Sequence, residues 1–539
     1  MSAAEEMSVT IWRTSRSSVV REILDYSTCI FDAYGQSVAQ AARMPVHLNS
    51  MAACLEDLIT KHIPISEWNE GDIIITNDPY SGGQHLPDIL TFKPIYLDGQ
   101  LISIAGTLVH HLDVGGGAAG SYYAEATEII QEGFRIPPMK IVEEGKRNEA
   151  IFKLLLANSR EPNNVGGDFS SQLAALQTGA ITIERIGRRY GINDLAEACH
   201  SIQAVSESET RAILREIPDG IYTFEDFVDD DGIENDKRIR IHVELKVDGD
   251  AIEIDFSGSS SQAKGPINCT LNMTRSAVIC GTLMAFGREV AANAGCYRPI
   301  SIVAPEGSVV NALYPAPVAN RMAVGHRIVN AVMGAFAEAL PGHVPACYYG
   351  VSYAYALNCV ETNGSRQVYF DLECGGWGAH PECDGANAFS CGFHNIANTP
   401  VEMIESCYPV TFLRYGLLPN SGGKGKYRGG LGLVREFRLD AAEGSFAANF
   451  DRFKVAPYGL LGGEPGTPGC LIVRRAECAE ELNLPSKVAG LALKAGDVIR
   501  LETAGGGGFG NHVQRDQALT CYDLEQGYID IGLDNLNES

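Results

Sequence analysis

The sequence predicts an α+β fold, with helices and the candidate site in its N-terminal part and a β-rich, glycine-containing C-terminal part. Three observations carry that expectation. Residues 168–190 repeat apolar side chains (Phe169, Leu173, Leu176, Ala180, Ile183, Ile186) at three- and four-residue steps, the period of a helix with one buried face. Residues 239–256 alternate apolar and polar side chains on both sides of "DGD", the pattern of a β-hairpin. Beyond about residue 405, short apolar runs are separated by "NSGGKGKYRGGLG", "LLGGEPGTPG" and "TAGGGGFG", so helices come early and strands late.

The elements follow in order. "SVVREILDYS" (18–27) reads as the end of a helix, and "CIFDAYGQSVAQA" (29–41) as strand, turn and strand. "GDIIITNDPYSGG" (71–83) is a β-branched strand stopped by Asn77-Asp78-Pro79. "GQLISIAGTLVHH" (99–111) is a second apolar β run. Asp168 is expected to cap the helix that follows and Gly191 to end it. A boundary is expected near 205–220, giving regions 1–210, 211–404 and 405–539.

The chain has 539 residues, 45% hydrophobic and 20% charged, with a net charge of −25. That composition builds a core and is unsuited to nonspecific nucleic-acid binding, which needs surplus Lys and Arg. No signal peptide and no apolar run of membrane-spanning length is visible, and the fifteen cysteines form no C-x-x-C pair, so a cytoplasmic protein with reduced thiols is expected.

Two stretches draw attention. "GGQHLPDI" (82–89) and "LVHHLDVGGG" (108–117) bring three of the twelve histidines within a short span, each beside an aspartate and glycines. His and Asp are ligands suited to Zn, Mn or Fe. Pro87 between His85 and Asp88 favours a tight loop over a helix. His110 and His111 end a β run, where successive side chains take opposite faces, so one faces a given metal. The other, with Asp113, is available for proton transfer. The alternative is a set of loop histidines that hydrogen-bond the backbone. "GGWGAHPECDGAN" (375–387) offers His380, Glu382 and Asp384 as a substrate loop or a solvated one. "GGGGFG" (505–510) precedes no convincing helix and reads as a turn, and neither a phosphate-loop motif nor a nucleophile elbow occurs.

Taken in order, "GDIIITNDPYSGGQHLPDI", "HHLDVGG", "EGFRIPP", "DFSGSSSQAKGPIN", "PEGSVVNALYPAPV", "GGWGAHPECDGAN", "NTPVEMIE", "NSGGKGKYRGGLG" and "GGGGFG" resemble the hydantoinase B/oxoprolinase family over nearly the whole chain. The resemblance implies a B-type subunit of an ATP-dependent enzyme, whose A-type partner is an actin-like ATPase that binds ATP and phosphorylates the substrate oxygen. It implies one divalent metal (Zn, Mn or Fe) held by the Asp of an "fD-x-x-G" turn, the His and Asp of "H-L-P-D" and the first His of "H-H-x-D". Those patterns fall on Asp32, His85, Asp88 and His110, with His111 and Asp113 as the neighbouring catalytic pair. The expected reaction is ATP-dependent opening of a hydantoin, oxoproline or lactam ring. Phosphorylation would remove amide resonance, and the metal would activate water. The chain stops at "LDNLNES" and is shorter than large carboxylase subunits, which favours hydrolysis over carboxylation of the acetone or acetophenone type. A third reading, of another class, is a non-catalytic metal-binding assembly subunit. The chain is expected to form a hetero-oligomer with the A-type subunit and to be inactive alone.

Overall fold

The computed structural model describes residues 1–530 except 42, 391 and 479; the closing "LDNLNES" lies outside the described residues. It has mixed α+β architecture with four sheets. Contacts divide the chain into two compact units. The first comprises Met1–Asp226, Arg240–Ala335 and Phe393–Thr399, and the second Phe227–Ile239, Phe336–Gly392 and Pro400–Ser539. No helix among the described residues is long and apolar enough to cross a membrane.

The first unit is built on an antiparallel seven-stranded sheet. Its strands are β1 (Tyr26–Asp32), β2 (Ser37–Gln40), β3 (Ile73–Thr76), β4 (Asp88–Leu97), β5 (Gln100–His110), β6 (Met139–Glu143) and β7 (Lys146–Arg147), in the order β2-β1-β5-β4-β3-β6-β7. Its central strands are buried on both faces and so read as continuous apolar runs. One face, through Tyr26, Ile30, Ile89, Ala105 and Val109, packs on Phe169, Leu176, Ala180 and Ile183 of the long helix Pro162–Tyr190. The other, through Cys29, Phe31, Leu90, Phe92, Ile104 and Leu108, packs on Met51, Cys54 and Leu55 of helix Ser50–Asp57. Alternation along each strand therefore decides which layer a side chain enters.

Gly191 ends the long helix as expected, with φ 96°. Asp168 does not cap it. Pro162 opens the helix six residues earlier, and Asp168 lies buried inside it, accepting from the amides of Arg16 at 2.7 Å and Ser17 at 3.1 Å. The predicted hairpin is present: Ile239–Asp248 and Ala251–Asp255 pair antiparallel across Gly249.

In the second unit the glycine run 505–508 is not a turn. Residues 505–508 run through the middle of other extended segments and bond to a different one at each step. Their amides donate to the carbonyls of Thr467 (3.1 Å), Gly430 (2.9 Å), Cys347 (2.8 Å) and Glu464 (2.9 Å). The glycines are required by space, because a Cβ on Gly505, Gly506, Gly507 or Gly508 would lie 1.9–2.2 Å from a neighbouring carbonyl oxygen. None of the four is among the positive-φ residues. Each segment thus bonds in several directions, which satisfies the backbone groups that burial demands.

Candidate metal centre

Strand register assembles the site in the first unit. Asp88 opens β4 opposite His110, which closes β5. β1 pairs Tyr26 with Val109, so Asp25 falls beside His110, whose amide donates to the Asp25 carbonyl at 3.1 Å. By parity Asp25, Asp88 and His110 share the face of Cys29, Leu90 and Leu108, the layer of helix Ser50–Asp57.

His85 arrives from the loop before β4. Asn77 pins that loop: its Nδ2 donates to the carbonyls of Leu86 (2.7 Å) and Phe134 (2.9 Å), and its Oδ1 accepts from Ile136 (2.6 Å). Gly82 has φ 97°, and a Cβ there would lie 2.6 Å from the Cys54 Cα. The Asp88 amide donates to the His85 carbonyl at 3.1 Å, and this turn brings both side chains to one point.

His85, Asp88 and His110 offer ligand atoms all within 4.8 Å of one another, and all three residues are buried. The imidazole centroids of His85 and His110 are 5.0 Å apart, and the Tyr122 ring lies 5.9 and 6.2 Å from them. His85 Nε2 stands 3.1 Å from Asp88 Oδ1, an ion-pair distance without hydrogen-bond geometry. Both ring nitrogens of His85 and Asp88 Oδ1 are buried without a hydrogen bond among the described residues. Unmatched polar atoms of this kind cost roughly 1–3 kcal/mol each, so a nitrogen and oxygen donor set left this way fits a divalent cation.

Burial pushes the His85 imidazole down to about 4, with the Arg321 guanidinium adding to the effect. Burial and His85 likewise hold His110 well below its ordinary value. Both rings are therefore neutral near pH 7, with lone pairs available for a metal. Burial alone would raise the Asp88 carboxyl, but His85 and Arg321 hold it well below the usual carboxylate range. Arg321 Nη2 meets Asp88 Oδ2 at 2.7 Å. Asp25 goes the other way: burial, then the neighbouring Asp88 charge, pushes it up to about 8. The Arg321 charge offsets only part of that rise. His47 lies with its Nε2 3.8 Å from Asp25 Oδ1 and its Nδ1 2.9 Å from Ser27 Oγ, and burial pushes it down to about 4.

Three of the six expected site residues come together: His85, Asp88 and His110. The structure does not bring Asp32 to them. It closes β1 opposite Ser103, six residues, or about 20 Å, from Tyr26, and its parity turns it to the other face. There its Oδ1 accepts from the amides of Tyr34 and Gln36, each at 2.9 Å, and its Oδ2 from Gln203 Nε2 at 3.1 Å. Asp32 holds the β1–β2 turn. Asp32→Ala is accordingly expected to leave metal content unchanged while lowering stability by about 1 kcal/mol, as read by elemental analysis and urea unfolding.

His111 also takes the opposite face, with Nε2 2.9 Å from Oε1 of Gln172 on the long helix. Asp113 is consumed by its loop, accepting from the amides of Gly115 (3.0 Å), Gly120 (3.1 Å) and Arg160 (2.9 Å) and pairing with Arg160 Nη1 at 2.9 Å. His111 thus faces the long helix and Asp113 is tied to its own loop and Arg160. In the second unit, His380 accepts from Trp377 Nε1 at 2.8 Å, and both Asp384 oxygens pair with Arg515 at 2.8 Å; that loop is tied down by its own contacts.

Sequence reasoning missed Asp25, His47, Tyr122, Glu132 and Arg321. Parity along β1 was the available signal for Asp25. Arg321 opens helix Arg321–Ala339, far along the chain, with no local signal. Glu132 fixes the approach to that helix, its Oε1 accepting from the amides of Val318 and Ala319, each at 2.8 Å. Burial pushes Glu132 up to about 8. A carboxyl raised in the fold takes up a proton on folding, so its contribution is fully present below the unfolded value near 4.5 and is lost as pH rises toward 8. Glu132→Gln is therefore expected to unfold at a higher temperature relative to wild type at pH 8 than at pH 5. Thermal melts across that range check it; a difference independent of pH would contradict it.

Comparison with known proteins places this geometry in context. A model of the hydantoinase B/oxoprolinase family matches residues 1–512. The B-type chain of a putative D-/L-hydantoinase from Pseudomonas sp. strain NS671 is 33% identical over 98% of this chain and 90% of its own length. The crystal structure of the ATP-dependent caprolactamase from Pseudomonas jessenii superposes with a TM-score of 0.93 at 28% identity, covering 98% of this chain and 92% of that one. A nucleotide-free acetone carboxylase superposes with a TM-score of 0.90 at 17% identity, over 99% of this chain and 77% of that one, a likeness of fold.

Proposed function

Because the chain belongs to the hydantoinase B/oxoprolinase family, we propose that it is the metal-bearing B-type subunit of an ATP-dependent cyclic amide hydrolase, working with an A-type ATPase subunit that phosphorylates the amide oxygen. The observation that carries this reading is the buried His85–Asp88–His110 group, with the unmatched donor atoms of His85 and Asp88. It lies in a chain similar, over nearly its whole length, to one chain of a putative hydantoinase and to a caprolactamase. The likeness to acetone carboxylase is one of fold and does not move the reaction to carboxylation. A purely scaffolding subunit would have no use for a buried donor set of this kind.

His85, His110 and Asp88 would hold the ion, with Asp25 as the fourth donor in place of Asp32. The ion would supply Lewis acidity and a means of ionising water near neutral pH. The chain's own residues do the rest. Arg321 fixes the Asp88 carboxylate through Oδ2 and leaves Oδ1 toward His85. The Tyr122 ring closes the imidazole side and helps to exclude water. His47, neutral and anchored through Nδ1 to Ser27, is positioned to exchange a proton at Nε2 in place of His111.

The test is turnover of hydantoin, 5-oxoproline and caprolactam by the chain with and without a co-expressed A-type subunit, each with and without ATP. Ring opening is expected only when both partner and ATP are present. Opening by the chain alone without ATP, or bicarbonate-dependent carboxylation of acetone by the pair, would refute the reading.

A further inference from the structure

Segments that meet at the metal group also reach a common cleft in the first unit. The chain runs from His110 to Val114, from Tyr314 to Arg321, and from Asp78 to His85. Val114, Tyr314 and Arg135 line a cleft of about 410 Å³, and Asp78 stands beside Arg135. That volume is within the range of small-molecule sites. The chain from His110 to Val114 spans at most about 14 Å, so the cleft begins close to the metal group.

Arg135 gives the cleft its charge. Its side chain is 36% exposed, and its guanidinium donates no hydrogen bond among the described residues. The guanidinium lies over the Tyr314 ring, 4.9 Å from the centroid. Tyr80 packs edge-on against that ring at 5.6 Å, and its own hydroxyl donates to the Ala316 carbonyl. Asp78 Oδ2 is 3.8 Å from Arg135 Nε, beyond hydrogen-bond reach. The Asp78 carboxylate accepts instead from the Tyr80 amide at 3.1 Å and the Ser81 hydroxyl at 3.3 Å. The aromatic pair therefore supports the guanidinium, while its terminal Nη1–Nη2 edge is left for a ligand.

The rest of the cleft is apolar and preformed. Val114, Ile129 and Ile130 line it, and Ile130 is 65% exposed. The loop that carries Val114 is bonded to the segment that carries Arg135: the Phe134 amide donates to the Val114 carbonyl at 2.8 Å, and the Gly117 amide to the Gln131 carbonyl at 2.9 Å. Arg160 Nη2 donates to the Gly116 carbonyl at 2.6 Å. Gly116 has φ 83°, and a Cβ there would lie 2.5 Å from the Glu132 carbonyl oxygen, so this close approach requires glycine. A cleft already held in shape loses little entropy on binding.

A guanidinium edge matches the paired oxygens of a carboxylate or a phosphoryl group, and the aliphatic lining suits a short carbon body. We propose that this cleft receives an oxyanion carried by the substrate, with Arg135 as the binding residue. The oxyanion is a carboxylate borne by the ring or the phosphoryl group added to it. The proposal rests on the ring-opening reading above and adds to it a recognition point in this chain.

Binding tests it without turnover. The full chain, with its metal content measured, is titrated by calorimetry with 5-oxoproline, with pyrrolidinone (the same ring without the carboxylate) and with inorganic phosphate. Tighter binding of 5-oxoproline than of pyrrolidinone identifies the carboxylate as the group received; phosphate binding without that preference identifies the phosphoryl group. In either case Arg135→Gln is expected to weaken the oxyanion about 10- to 100-fold and to leave pyrrolidinone unchanged. Arg135→Lys, which keeps the charge and loses the fork, is expected to fall between. Ile130→Glu, at an exposed position, sets a carboxylate in the cleft and is expected to weaken the same ligand, which keeps the test open if the Arg135 variants do not fold. Wild type that neither prefers 5-oxoproline nor binds phosphate overturns the proposal, as does oxyanion affinity unchanged in Arg135→Gln or, where that variant does not fold, in Ile130→Glu. Affinity independent of Arg135 in a complex that still opens the ring refutes this inference alone. Arg135-dependent binding in a complex that opens no cyclic amide refutes the reaction instead.

Discussion

Asp88→Ala is expected to abolish ring opening by the complex and to destabilise the chain in the same stroke. One oxygen of Asp88 faces His85 at 3.1 Å and the other meets Arg321 at 2.7 Å. Removing the carboxylate takes away one of three clustered donors and leaves a buried guanidinium without its counter-charge. Breaking one side of a buried ion pair costs about 3–5 kcal/mol. Changes to groups that merely orient a metal ligand already cost roughly 10–100-fold in affinity or activity, so loss of a ligand is expected to exceed that range. Asp88→Asn separates the two effects: it keeps the shape, recovers part of the stability and still loses the charge needed at the cation site. Partner-dependent turnover and urea unfolding read them independently. An Asp88→Asn variant with wild-type turnover would contradict the role assigned to this carboxylate.

The second large effect is expected in the second unit. Gly506→Ala should destabilise the second unit by at least ~3 kcal/mol and reduce recovery of folded protein. Its Cβ would lie 2.0 Å from the carbonyl oxygen of Trp377. Neither chain can yield readily, because Gly506 is bonded both ways: its amide donates to Gly430 and its carbonyl accepts from Gly423, each at 2.9 Å. Gly527, with φ 68° and open space for 4 Å around the place a Cβ would take, is the control. Gly527→Ala is expected to cost only the strain of its turn, about 1 kcal/mol. Thermal melts of the two variants against wild type check the contrast, and equal losses would contradict it.

What was legible in the sequence was whatever a local pattern records. The long helix, the 239–256 hairpin, β1 with its turn, β3 and β5 all carry their period within a dozen residues or so, and the structure has them. His85 and Asp88 were legible because a proline-containing loop brings neighbours together. Strand alternation, a local rule, put His110 and His111 on opposite faces, and the family resemblance selected His110. The rest depends on pairing over long separations. Asp32 and Asp25 both stand at ends of one strand, and only the register of β1 on β5 shows that Asp25 is the one beside His110. Asp113 has the composition of a catalytic acid, yet its four acceptor contacts belong to a glycine loop and to Arg160. The glycine run 505–510 looked like a turn because turns are the commonest reason for such runs. The actual reason for residues 505–508, close approach of several extended chains, is a property of the packed unit and leaves no periodic trace.

The most direct test of the central claim is metal content per chain, measured by elemental analysis on wild type and His85→Ala purified in parallel. One divalent ion per wild-type chain and its loss from His85→Ala, with both proteins folded by circular dichroism, is the result expected if the buried His85–Asp88–His110 group is a metal centre. A folded His85→Ala chain that retains its ion, or a wild-type chain that takes up none when supplied with Zn, Mn or Fe, would contradict it.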